Sequence, residues 1–247
     1  MPLRLALAAT VPKAGNTPEE NEDSFAIGPE SPPTRFALSD GATESYDSRV
    51  FAQLLCQLWL TRRLPVVPLR SSQRAYDARL KGIQLSWSDA AALERGSFAT
   101  LLAGAVVGST LRAVVIGDSL LVYLPPMSSG AEVRTIPYST AAEFEQSPML
   151  LSTLRTKIRG FGLGYLRTCI HEIALHPGGM LVCMTDAVGA WYLAATIEQR
   201  QMLIDGIRSE EQFREFVDGE RARRAMRNDD STILMFDVVE ADGAPPG

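Results

Sequence analysis

The sequence predicts an α+β sandwich, with antiparallel sheets in the centre and helices outside. Two observations carry that expectation. Between Ser97 and Leu124 the chain runs through short apolar stretches, FATLLAGAVVG, LRAVVIG and LLVYL, separated by Gly-Ser-Thr and Gly-Asp-Ser. Such a series reads as consecutive antiparallel strands joined by tight turns. Helical periodicity lies before and after this block instead of alternating with it, which argues against a doubly wound parallel sheet.

The elements follow in order. Leu3 to Thr10 and Thr34 to Ser39 read as strands. Ser45 reads as a helix N-cap, after which Val50, Phe51, Leu54, Leu55, Leu58 and Trp59 recur at helical spacing. That helix should stop before Pro65, and a weaker helical segment covers about 72–94. After the strand block, residues 125–168 are irregular and carry the glycine-rich GFGLG at 160–164. CIHEIAL and GMLVCMT read as a strand pair around His176-Pro177-Gly178-Gly179. Helices are expected at about 187–206 and 209–226, then a last strand, STILMFDVV. Residues 1–240 are expected to form one domain, with 241–247 a disordered tail.

The composition narrows the chemistry. The chain has 247 residues, 46% hydrophobic and 21% charged, with a net charge of −5. No apolar stretch is long enough for a membrane span. No basic block reaches five residues, so no nucleic-acid footprint is visible, and Arg221, Arg223, Arg224 and Arg227 read as a solvated helix face. Cys56, Cys169 and Cys183 are widely spaced and form no C-x-x-C, which argues against a zinc ribbon or a disulfide framework. His171 and His176 are the only histidines. A metal here would need oxygen ligands, which points to Mg²⁺ or Mn²⁺. The start of the chain reads as a strand, not a signal peptide, and a cytoplasmic location is expected.

Carboxylates stand where apolar strands meet turns. Asp40 follows FALS, Asp118 follows VVIG, Asp186 follows LVCMT, and Asp229 and Asp230 precede STILMF; Glu22 and Asp23 stand just ahead of Phe25 and Ile27. Any one such Asp is an ordinary turn cap. The ordered series N-E-D-S, S-D-G, G-D-S, T-D-A and D-D-S-T, however, resembles the metal-dependent protein phosphatases of type 2C. It is most similar to the bacterial branch with D-G-A-T-E-S and T-D-A motifs. The resemblance spans about Asn21 to Val238.

The resemblance implies a four-layer α-β-β-α sandwich and a phosphoserine/phosphothreonine protein phosphatase that uses two divalent ions, Mg²⁺ or Mn²⁺, with a weaker third site. It implies that Asp40 bridges the ions, that the Gly41 carbonyl adds a ligand, and that Asp186 and Asp229 serve the first ion. Glu22 and Asp23 would stand near the second, and Asp118 near the third. The implied partner is a phosphorylated protein, opposed by a serine/threonine kinase. Carboxylates ~4 Å apart repel by roughly 4 kcal/mol per pair at an effective dielectric near 20, and cations reverse that sign.

The sequence departs from the pattern in places. Pro18 stands where these phosphatases carry a phosphate-gripping Arg, so Lys13 or the basic residues of 138–168, Arg155 and Arg159 first, become the phosphate-binding candidates. Ala42 stands where some members carry a His. Two rival readings remain: a catalytically quiet phosphatase-like binding or regulatory module, and a GDSL-type esterase with Ser119 of GDSLL as nucleophile. The esterase lacks a D-x-x-H at either histidine.

Overall fold

Strands buried on both faces need apolar residues at every position, and the central runs of this chain supply them. The computed structural model describes residues 2–30, 34–42, 45–61, 68–154 and 168–240. Among these, twelve strands and six α-helices are defined. The strands are β1 (Leu3–Val11), β2 (Ser24–Ile27), β3 (Arg35–Ser39), β4 (Phe98–Ala99), β5 (Leu101–Val107), β6 (Thr110–Ile116), β7 (Leu120–Leu124), β8 (Arg134–Ile136), β9 (Leu151–Ser152), β10 (Ile170–Ala174), β11 (Met180–Met184) and β12 (Ser231–Val238). The helices are α1 (Ser48–Leu60), α2 (Leu69–Leu80), α3 (Trp87–Arg95), α4 (Asp186–Ala194), α5 (Ile197–Gly206) and α6 (Glu210–Ala222).

Two antiparallel sheets, ordered β1-β12-β11-β7-β8 and β10-β6-β5-β3-β2, form the centre; β4 and β9 make a small third sheet. Alternation along each strand sorts its side chains into layers. Leu121, Tyr123, Leu181, Cys183, Leu234 and Phe236 of the first sheet meet Phe36, Leu38, Leu102, Leu111 and Val115 of the second. Their neighbours Leu120, Val122, Val182, Met184, Ile233 and Met235 pack outward on Val188, Trp191, Leu203, Phe213 and Val217 of α4, α5 and α6. On the other side, Ala37, Leu101, Ala103, Val114 and Ile116 pack on Phe51, Leu55, Trp59 and Tyr76 of α1 and α2. The order is helix, sheet, sheet, helix, as expected.

Several details differ from the sequence reading. Only β5 and β6 form the expected hairpin. The chain crosses from one sheet to the other between β6 and β7, and again between β10 and β11. Short Gly-containing connections look alike in sequence whether they reverse a strand or change sheet. The 72–94 segment is two helices, broken by Gly82 at φ +83°. The 187–206 segment breaks at Thr196, whose Oγ1 caps α5 by accepting from the Gln199 N–H at 3.3 Å. Helix α1 begins after Asp47, not at Ser45; the Ser45 hydroxyl accepts from the Phe98 N–H at 3.2 Å. In the 138–168 region, Ala141–Glu145 forms a 3-10 turn whose Phe144 packs against Gly189 of α4. The tail 241–247 and the segment 155–167, with Arg155 and Arg159, lie outside the described residues.

Strand register decides where the functional candidates go. In the first sheet Val11 pairs with Ser231, and Met184 with both Ile233 and Leu120. In the second, Ser24 pairs with Ser39, and Leu101 with Ile116. The ends of β1 and β11 and the starts of β7 and β12 therefore share one edge. So do the start of β2, the end of β3, the start of β5 and the end of β6. The crossover Gly117-Asp118-Ser119 joins these two edges.

Gly117 sits at φ +99°, and a Cβ there would lie 2.6 Å from Thr100 Cγ2 and 3.2 Å from Thr100 Cα. Gly117→Ala is expected to destabilise the fold by at least ~2 kcal/mol, combining the left-handed backbone penalty with displacement of Thr100. Chemical denaturation of the variant checks this; an unchanged midpoint would show that the crossover does not hold the two edges together.

Candidate metal centre

With both sheet edges at one rim, the carboxylates converge. The charge of Asp40, after β3, is felt alongside those of Asp23, Asp186, Asp118 and Asp229. Burial first, then these neighbours in that order, push the Asp40 carboxyl well above the usual range. Its backbone is fixed twice over: the Asp40 N–H donates to Thr100 Oγ1 at 2.9 Å, and the Thr100 N–H donates to the Asp40 carbonyl at 2.8 Å. Thr100 Oγ1 also lies 2.9 Å from Ser119 Oγ, which ties the Asp40 loop to the crossover carrying Asp118. Gly41 is a position of close approach: a Cβ would lie 3.0 Å from the Glu22 carbonyl oxygen and from Ser48 C and Cβ.

Asp23 is the most deeply embedded. Its Oδ2 accepts from Thr185 Oγ1 at 3.0 Å and Thr232 Oγ1 at 2.7 Å, while its Oδ1 is buried without a partner. Burial pushes this carboxyl well up; the Thr232 bond opposes the shift and the Asp230 charge adds to it. Burial also pushes Asp118 up, with its own backbone N–H and Arg227 opposing. Asp186, the first residue of α4, is pushed up to about 6 by burial, against the pull of Arg227. Arg227 Nη2 donates to Asp186 Oδ2 at 2.9 Å. Glu22 accepts from Ser48 Oγ and stands 3.7 Å from Lys13 Nζ. Lys13 is thereby brought to the rim.

Asp230 differs from its neighbour Asp229. Its two oxygens accept from the Lys13 N–H at 2.8 Å and the Glu22 N–H at 2.7 Å, so it holds two loops while its charge still reaches Asp23. Arg221 does the same from α6: Nη1 donates to the Pro12 carbonyl at 2.9 Å and Nη2 to the Asp229 carbonyl at 2.5 Å. The expected solvated helix face thus fails: Arg221, the one member on α6, has a side chain only 8% exposed, and Arg223, Arg224 and Arg227 lie beyond the end of the helix at Ala222. Arg223 pairs with Glu220 at 2.5 Å, and Arg224 is exposed.

The donors fit a hard divalent ion: all are oxygens, several are buried, and Asp23 Oδ1 has no other partner. Among the described residues, no three such side chains already close around a single point. Thr185, Thr232 and Asn21, whose Oδ1 accepts from the Asp23 N–H at 2.9 Å, were not singled out in the sequence, although they stand inside the T-D-A, D-D-S-T and N-E-D-S motifs. Arg227 carries no such signal. The esterase reading is overturned. Ser119 is fully buried and bonded to Thr100, while His176 Nδ1 lies 3.2 Å from the Tyr123 hydroxyl and His171 pairs with Ala113 on β6.

No family model and no curated protein sequence matches the chain. Solved structures do. The Mycobacterium tuberculosis serine/threonine phosphatase PstP/Ppp superposes with a TM-score of 0.62 at 19% identity, covering 97% of this chain and 100% of that one. The catalytic domain of PstP in complex with two manganese ions gives 0.60 at 20%, covering 97% and 99%. The PP2C phosphatase domain, with a fragment of the regulatory domain, of SpoIIE from Bacillus subtilis gives 0.56 at 13%, covering 98% and 65%. The chain has the fold of these phosphatases.

A carboxyl whose folded pKa is raised keeps its proton after the unfolded chain has lost its own. Stability then falls as pH rises between the two values, here from 3.8 to about 6 for Asp186, and the loss is complete above that. In chelator, Asp186→Asn is therefore expected to melt about 5 °C above wild type at pH 7, with the gap closing toward pH 4. Scanning calorimetry across pH checks this. A variant that melts lower at every pH would mean that the Arg227 contact outweighs burial and repulsion at Asp186.

Proposed function

We propose that this chain is a metal-dependent phosphoserine/phosphothreonine protein phosphatase. The observation that supports the reading is that Asp40 feels the charges of Asp23, Asp186, Asp118 and Asp229 where the strand ends of the two sheets are joined by Gly117-Asp118-Ser119, with Glu22 next to Asp23 in the chain. The fold shared with serine/threonine phosphatases supports it, as does the two-manganese complex of one of them. Asp40, Asp186, Asp229 and the Gly41 carbonyl, with Glu22 and Asp23 beside them, would hold two divalent ions, Mg²⁺ or Mn²⁺, and Asp118 a weaker third. Such ions supply Lewis acidity toward phosphoryl oxygens and acidify the attacking water.

The chain's own groups do the rest. Burial and the neighbouring carboxylates hold the Asp40 carboxyl above its usual range, so it needs positive charge nearby to stay ionised. Thr185 and Thr232 fix one oxygen of Asp23 and leave the other to a ligand. Lys13 offers a point charge to the substrate phosphate. In the reaction a water oxygen bonds to phosphorus, the ester P–O bond breaks, and the seryl or threonyl oxygen leaves and takes up a proton. Ala42 has no proton to give, so solvent supplies it.

The substrate would be a phosphorylated protein, the product of a serine/threonine kinase. None of Cys56, Cys169 and Cys183 forms a disulfide, which supports a reducing, cytoplasmic setting. Among the described residues no helix is long and apolar enough to cross a membrane. A quiet phosphatase-like binding module is the second reading, favoured by Pro18 in place of a cation.

Hydrolysis of p-nitrophenyl phosphate with Mn²⁺ or Mg²⁺, abolished by chelator, tests the proposal; turnover that survives exhaustive chelation overturns it, and a folded, metal-binding protein with no turnover favours the quiet module. Within the site, Asp40→Asn is expected to cost at least ~10²-fold in kcat, about 3 kcal/mol of barrier. Asp230→Asn, which disturbs loop anchoring and removes a charge near Asp23, is expected to lower the melting temperature while losing less activity at saturating Mn²⁺. Equal rate losses would place both carboxylates in the reaction.

A further inference from the structure

We infer that Arg227 is the group that grips the substrate phosphate, in place of the cation missing at Pro18. The inference rests on the phosphatase reading and adds a residue to it. A rim of carboxylates repels a phosphate dianion, so the site needs a cation placed to receive one. Pro18 supplies none, and Lys13 is a point charge already drawn to Glu22 with its side chain 22% exposed. Arg227 is better built for the task. A guanidinium presents a planar fork that matches two phosphate oxygens.

The chain on either side of Arg227 is anchored, while its half-exposed head makes a single ion pair. Met226 beside it is buried in the core under α4, α5 and α6, and its N–H donates to the Glu220 carbonyl at 3.3 Å. On the other side, Asn228 Oδ1 accepts from the Ala14 N–H at 2.7 Å. Two residues on, Asp229 has its carbonyl clamped by Arg221. The Arg227 side chain is 49% exposed, and among the described residues its sole hydrogen-bond partner is Asp186, through Nη2. Nε and Nη1 remain for a ligand. The same charge is felt by Asp118, so the guanidinium bonded to Asp186 also acts on a second carboxylate of the cluster. The bond from Asn228 to Ala14 sets this turn beside the Lys13 loop, so a phosphate arriving there meets both cations.

The competing explanation is that Arg227 only balances the charge of Asp186. Titrating Mg²⁺-saturated wild type, Arg227→Ala and Arg227→Lys with inorganic phosphate by calorimetry, alongside KM and kcat for a phosphothreonine peptide and the Mg²⁺ affinity, separates the two. Melting curves confirm that each variant is folded. The expected result is that Arg227→Ala weakens phosphate binding and raises KM by at least ~10-fold, with Arg227→Lys recovering part of the loss. If Arg227→Ala keeps wild-type phosphate affinity and KM while binding Mg²⁺ more tightly, Arg227 is a counter-ion and the inference falls, though the phosphatase reading stands. If wild type binds phosphate through Arg227 but turns over no substrate, the grip stands and the phosphatase reading falls. Absence of phosphate binding by wild type overturns the inference.

Discussion

Like charge gathered in one place is the constraint around which this molecule is arranged. Asp23, Asp40, Asp118 and Asp186 share a rim with Asp229, and burial and mutual repulsion work against the ionisation of those four. Nothing in their own electrostatics would hold them there. What holds them is strand register, together with hydrogen bonds that do not depend on the cluster's charge. Thr100 fixes the backbone of Asp40, Thr185 and Thr232 hold one oxygen of Asp23, and Arg221 clamps the carbonyl of Asp229. The energy of burying three apolar layers is what sustains a destabilised edge of this kind. Functional sites commonly carry such local conflict, sustained by the surrounding fold.

The two-sheet design explains why the conflict is possible at all. A single sheet would place its strand ends in a line, with neighbours about 4.8 Å apart. Here two edges face each other and are joined by Gly117-Asp118-Ser119, so carboxylates from both sheets enter one region. The contact between Thr100 and Ser119 hydroxyls lies across that junction. Ser119, which spells an esterase nucleophile in sequence, is a fully buried tie between the edges. Its position in G-D-S serves the aspartate before it.

Much of this was legible in the chain itself. Apolar runs marked the central strands, because strands covered on both faces leave no polar register to alternate with. The carboxylates at strand ends were visible as an ordered series. Which connections reverse a strand and which change sheets was not visible, since Gly108-Ser109 and Gly117-Asp118-Ser119 are both short and both open on glycine. The break between α4 and α5 had a signal in Thr196 and Gln199, a capping box inside an otherwise continuous apolar stretch. Asp230 could not be told from Asp229 by type or spacing. Only the loops of Lys13 and Glu22, distant in sequence, make one an anchor and leave the other to the cluster.

The arginines near the end of the chain show the same limit from the side of positive charge. Four basic residues within seven positions look like a solvated stripe as long as the helix is assumed to continue. The helix ends at Ala222, and Arg224 takes φ +59°, so the chain turns and the stripe is dispersed. Arg221 stays on the helix with its side chain largely covered, where its charge serves backbone carbonyls at Pro12 and Asp229. Arg227 emerges past the turn with its head half exposed beside Asp186. One residue therefore fixes where a carboxylate stands, and the other changes what charge surrounds it. The first role demands burial and rigidity; the second demands a head that can move between partners. A site that must hold its anions still while admitting another anion needs both, and the turn between α6 and β12 places them six residues apart in a chain that is otherwise acidic.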